Sequence, residues 1–306
     1  MITTAQATSR GLSSQYLARS PRWERVTPGV YRLAALSQTW HQSLMVAVLA
    51  GGPGTVVSHR SAAILQRLDG LRGEIVEVTI PRERNHRNVE GVVVHRSAHL
   101  PPIDRHRPER IPATTVTRTL VDLASVVDAD TLEIAIESGL RSHRTSLPLL
   151  QRRLKAVGGK GRAGSASLKA IVNGPVDQAP TESVLETRFV QLCRRFDIPP
   201  GNRQYKIAGD TGLLRADFAW PERRVLVELE GYAWHGTRAD HREDMRRQNV
   251  ILLTHPGWTI LRYGWADVVD GPARVAAELG CALRPPAPQG SIAPVLAQKR
   301  LKPSMG

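Results

Sequence analysis

Residues 215–231 read RADFAWPERRVLVELEG, and the fold of the C-terminal third turns on them. Val225, Leu226 and Val227 form a continuous apolar run, the pattern of a strand buried on both faces. Glu228 and Glu230 follow two residues apart, so both side chains leave the same face of that strand. Asp217 lies in a neighbouring strand-like stretch, and Pro221 and Glu222 supply the turn between the two. The spacing therefore gathers three carboxylates at one edge of a central sheet. Desolvating one carboxylate costs several kcal/mol, so the set would need on the order of ten without a counter-charge. A divalent cation supplies that charge, and hard oxygen ligands favour Mg²⁺ or Mn²⁺ over zinc. The alternative is pairing with the nearby Arg215, Arg223 and Arg224, against which the apolar character of the strand weighs.

Working outward, Thr181 can cap a helix over SVLETRFVQLCRRFDI (183–198), whose Val184, Leu185, Phe189 and Leu192 fall at helical spacing. Glu182 and Glu186 are an i, i+4 pair on that helix, ordinarily a solvated face but within reach of the acidic edge. Pro199-Pro200 end it. Strand-like QYKIA (204–208), LLRADFAW (213–220) and RRVLVELE (223–230) come next. A charged helix, DHREDMRRQNVILLTHPG (240–257), a strand, WTILRYGW (258–265), and a last helix around 266–280 complete an α/β unit over 173–283. The tail 284–306 is rich in Pro and basic residues and is expected to be disordered.

The N-terminal region divides at about residue 40. In 1–40, Thr3 or Thr4 can cap a short helix that Gly11 breaks, and Ser13 or Ser14 can cap a second. Two strand-like pieces then flank the turn dipeptide Pro28-Gly29. Helix, turn, helix and hairpin is the order of a winged helix-turn-helix, although any helical hairpin with a β-turn shares it. Residues 41–172 form a small α/β domain. Ser58 can cap HRSAAILQRL (59–68), with Gly70 ending it, while EIVEVTIP (74–81) and GVVVHRS (91–97) suit two paired strands. Helices are expected from Thr117 through 127 and over 129–142. The Gly- and Ser-rich stretch 157–175 reads as a linker holding a short helix near 167–172.

The 306 residues carry 42 Lys and Arg against 28 Asp and Glu, a formal charge of +14. That excess favours a polyanionic partner, because each phosphate neutralised releases a condensed counterion. Cys193 and Cys281 have neither a second Cys nor a His at ligand spacing, which argues against structural zinc and a disulfide framework. Neither a signal-peptide core nor a membrane-length apolar run is present, so a cytoplasmic protein without membrane partners is expected.

Residues 186–261 resemble the endonuclease-like domains related to very-short-patch-repair endonucleases, in the PD-(D/E)XK nuclease superfamily. The matching pieces are LET at 185–187, ADF at 216–218, VELEGYAWH at 227–235, Asp244 with Arg247 in DMRRQNVILL, and GWTILRYGWADV at 257–268. The resemblance implies that Asp217 and Glu228 are metal ligands, joined by the Leu229 carbonyl and by Glu186. It also places His235, Asp244 and Arg247 near the metal edge. Glu230 stands where the superfamily most often has Lys; a carboxylate cannot donate to phosphate as an ammonium does, but it can bind metal or activate water. The N-terminal two thirds more loosely resemble abortive-infection type IV antitoxin-like proteins, a winged helix-turn-helix followed by an α/β domain. In that region Thr114, Thr117, Arg118 and Asp122 are expected to be caps and buried pairs.

The expectation is a DNA-binding, Mg²⁺-dependent endonuclease. Its rival is an antitoxin-like regulator, with DNA and a toxin as partners, whose nuclease fold is catalytically silent. A homodimer is conceivable for two-strand cutting.

Overall fold

The structure, a computed structural model, describes residues 1–84, 89–157, 163–173, 183–209, 212–230 and 253–284. It is a mixed α/β fold whose chain divides into two compact units, Met1–Arg203 and Gln204–Gly306.

The first unit begins with β1 (Ile2–Thr3), α1 (Thr4–Thr8), α2 (Ser14–Arg19), β2 (Trp23–Thr27) and β3 (Val30–Leu33). Thr3 caps α1 through the Gln6 N–H, and Gln6 returns a bond to the Thr3 N–H; Ser13 caps α2 through Tyr16. Each bond satisfies a helix-end donor that would otherwise lack a partner. The strands pair antiparallel in the order β1-β3-β2. Gly29 takes the left-handed conformation (φ 81°) that the Pro28-Gly29 turn needs. Ile2, Ala7, Leu17 and Tyr31 are the buried centre of this small subassembly.

Next come α3 (Trp40–Gly51), β4 (Val56–Val57), α4 (His59–Leu65), β5 (Val76–Pro81), β6 (Val92–Ser97), β7 (Arg105–His106) and β8 (Ala113–Thr114), with sheet order β6-β5-β4-β8-β7. The two strands expected to pair do so, and they run parallel. Ser58 occupies the N-cap of α4 but does not cap it. Its hydroxyl instead accepts from Thr79 at 2.7 Å and meets His59 Nδ1 at 2.9 Å. The helix stops at Leu65, ahead of Gly70.

Helices α5 (Val116–Leu123), α6 (Ala129–Arg141), α7 (Leu147–Val157) and α8 (Ser165–Val172) surround a second core of Leu120, Leu123, Leu132, Ile136, Leu150 and Leu168. Helix α9 (Val184–Arg195) is capped by Ser183 through the Glu186 N–H. It lies on α6, where Gln191 donates to the Asp130 carbonyl and Arg194 grips Glu133 at 3.0 and 3.1 Å.

The second unit is built on β9 (Asn202–Gly209), β10 (Gly212–Trp220), β11 (Val225–Glu230) and β12 (Thr259–Gly264), in the order β12-β11-β10-β9, followed by α10 (Trp265–Asp270) and α11 (Pro272–Ala282). Strand β11 is central: it pairs antiparallel with β10 and parallel with β12. Val225, Leu226 and Val227 are at most 1% exposed, as their unbroken apolar run requires. The β10–β11 turn passes through Arg224 in a left-handed conformation (φ 55°). Among the described residues, no helix is long and apolar enough to cross a membrane.

Candidate functional site

The site grows out of the β10–β11 register. Phe218 faces Val227 and Ala219 faces Leu226; Asp217 shares the side of Ala219 and Glu228 that of Leu226, two residues along each strand. Residues opposite one another in a ladder point to the same side of the sheet. Glu230, two further along β11, shares that side. Asp217 is fixed by a hydrogen bond from the backbone: the Leu229 N–H donates to its Oδ2 at 2.7 Å. A carboxylate accepting a backbone N–H is held in one orientation.

The third strand supplies a cation. Parallel pairing sets Arg262 of β12 beside Glu228. Its Nη2 lies 2.7 Å from Glu228 Oε2, and its Nη1 3.6 Å from Glu230 Oε1. The Glu228 side chain is 18% exposed and that of Glu230 49%, so Glu228 is the more shielded partner. Arg262 is thus a counter-charge shared by the two glutamates. Sequence pattern did not single it out, because its place beside Glu228 depends on a register between strands about 35 residues apart. The quoted piece WTILRYGW did contain the signal: Ile260 and Arg262 alternate on one face, like Leu226 and Glu228 beside them.

The arrangement fits a divalent cation in part. Asp217 and Glu228 are two hard oxygen donors on one face, close to the Leu229 backbone. Among the described residues, no group of three His, Cys, Asp or Glu side chains is placed to hold a metal ion. Glu186 is on α9 in the first unit, buried at 4% exposure. His235, Asp244 and Arg247, like Glu182 and Thr181, lie outside the described residues.

The polar residues singled out in the first unit are structural. Arg118, 2% exposed, donates to both Asp122 oxygens at 2.9 and 3.1 Å, to Asp104 at 2.7 Å and to the His99 carbonyl. Burial opposes its charge, but the two carboxylates outweigh that and raise its pKa. Thr114 is bonded to Thr119 and Thr117 to Thr145. These residues are paired, all but the half-buried Thr117 being buried, and none of them is a helix cap.

No family model matches the chain. Two uncharacterized proteins of Mycobacterium tuberculosis, one from strain H37Rv and one from CDC 1551, are 28% identical to it over 168 residues. That segment is 55% of this chain and 60% of each relative, so the chain spans about three fifths of the length of the curated relatives it matches.

Proposed function

We propose that the chain is a DNA-binding endonuclease that uses Mg²⁺ or Mn²⁺ to hydrolyse phosphodiester bonds. The observation that carries this is that Asp217 and Glu228 share one face, with Asp217 locked by the Leu229 N–H. Asp217, Glu228 and the Leu229 carbonyl would hold the ion. Such an ion polarises a phosphate and acidifies a bound water.

The chain's own residues do the rest. Glu230, half exposed beside the pair, can accept a proton from the attacking water. Arg262 can turn from the glutamates to a non-bridging phosphate oxygen, which its planar fork suits. By the resemblance, Arg247 and His235 would steady the developing charge, with Asp244 near the same edge. The helix–helix–hairpin order of residues 1–40 supports a winged helix-turn-helix that brings DNA to this centre, aided by the chain's positive charge.

A second reading, a catalytically silent antitoxin-like regulator, draws support from Arg262, whose guanidinium already balances Glu228 and Glu230. Supercoiled-plasmid nicking in Mg²⁺ separates the two. Glu228→Ala and Asp217→Asn should each slow nicking by about a hundredfold, ~2.7 kcal/mol of barrier. Equal products from wild type and both variants would assign the cleavage to a contaminant. Absence of nicking, with no calorimetric Mg²⁺ binding by the wild type, would favour the regulator.

A further inference from the structure

The first unit contains a cavity of about 880 Å³ between the N-terminal hairpin turn and the loop after α3. One wall is Pro28-Gly29 with Thr3 and Gln6, and another is the Gly51-Gly52-Pro53-Gly54 loop. Arg84, Arg105, His106 and Arg107 line the remaining side, and no Asp or Glu among the described residues lines it. Three arginines and a histidine lining a recess, with no carboxylate among its described lining residues, make an anion-attracting volume.

These arginines differ from several others in this unit. Arg60, Arg118, Arg141, Arg153 and Arg194 are engaged with carboxylates. Arg84 and Arg107 have no carboxylate partner among the described residues. Arg105 is pinned, its Nε donating to the Leu100 carbonyl at 2.8 Å. The turn carrying Arg84 is braced by Arg96, whose Nη1 donates to the Arg84 carbonyl at 2.7 Å. The Arg105 side chain and the backbone at Arg84 are thus held in place, which reduces the ordering cost of binding.

The opposite wall has other chemistry. It includes the last turn of α3, where helix carbonyls lack intrahelical partners and favour hydrogen-bond donors. It also includes Thr55, 3% exposed, whose Oγ1 is buried without a hydrogen-bond partner. Gly52 (φ 76°) and Gly54 (φ 87°) are left-handed, and a Cβ on Gly54 would stand 2.9 Å from Pro81 Cγ. The loop therefore requires glycine at these positions to keep its path along the cavity.

We infer that this cavity is a binding site for a small nucleoside phosphate, its phosphates on Arg84, Arg105 and Arg107 and its hydroxyl or amino donors toward the α3 end. The volume suits a single nucleotide. The inference is independent of the acidic centre in the second unit.

Calorimetric titration of the full chain with ATP, in EDTA so that no metal contributes, tests it. ATP should bind in the micromolar range. Arg84→Ala with Arg107→Ala should weaken it about tenfold or more, while Arg72→Ala and Asp217→Asn leave it unchanged. Adenosine and tripolyphosphate, each lacking half of the ligand, should both bind about tenfold more weakly than ATP. Both arginines are exposed, so the double variant should keep the wild-type melting curve and its loss of binding can be read directly. No ATP binding up to millimolar concentration, binding indifferent to the arginine pair, or tripolyphosphate as good as ATP would each overturn the proposal. Loss of binding to a short DNA duplex in the arginine variant, without any ATP binding, would also overturn it and assign the arginines to the nucleic-acid backbone.

Discussion

Glu77 is fully buried in the middle of β5, yet it keeps its charge. Burial by itself would raise its pKa. His95, whose Nε2 lies 3.5 Å from Glu77 Oε1, and hydrogen bonds from the Arg60 side chain and backbone outweigh that and bring the pKa down to about 2. Arg60 N and Nη2 each lie 2.7 Å from its carboxylate, and His95 stacks on His59 at 3.5 Å. Because the folded pKa lies below the ordinary value of 4.5, the carboxylate's contribution is complete above pH 4.5 and lost as pH falls toward 2. The loss should amount to about 3 kcal/mol. The Trp40 indole, which donates to the Ile75 carbonyl beside β5, reports it. Urea midpoints followed by its NMR signal should decline through that window in wild type and stay flatter in Glu77→Gln; equal slopes would contradict the assignment. Glu77 was not legible in the sequence, since EIVEVTIP reads as alternation with Glu77 facing water. Asp217, Glu228 and Glu230 were legible because their spacing along two adjoining strands decides their side of the sheet.

Strand β11 is the element that local pattern specified best. An apolar triplet followed by alternating glutamates has one economical placement, buried first and then emerging at an edge. Its neighbours were only half specified: the antiparallel β10 follows from a short turn, whereas parallel β12 arrives through a long connection whose register no local signal encodes. The β5–β6 pair shows the same limit, since two strand patterns predict pairing but not its parallel direction. Helix α7 was missed altogether, its Leu147, Leu150 and Leu154 sitting among arginines next to a glycine-rich stretch. Leu226, 0% exposed among Ile207, Ala216 and Ala219, anchors the second unit's core. Leu226→Ala should cost about 2–5 kcal/mol, the range for emptying a buried leucine site. Hydrogen exchange at β11 amides should speed up accordingly, and a variant with wild-type protection would place the stabilising core elsewhere.

At the scale of the whole molecule, charge and fold act on different properties. Each unit has its own buried clusters, at Leu120–Leu168 and Leu44–Ala113 in the first and at Ile207–Leu226 in the second. The surplus of +14 contributes to neither core and instead sets how the chain meets a polyanion. Much of the acidic charge is already committed internally, as Asp104, Asp122, Glu133 and Glu77 are to arginines, so unpaired cations dominate the outward field. If DNA is the partner, most of the affinity should come from phosphate contacts and counterion release. A chain using six to ten of its cations would lose about 10³–10⁵-fold in affinity between 50 and 200 mM salt. Fluorescence anisotropy on a random duplex across that range measures the slope. A flat salt dependence would mean that the charge surplus is unrelated to DNA binding, and would remove the electrostatic support for a nucleic-acid function while leaving the carboxylate geometry to be judged by nicking alone.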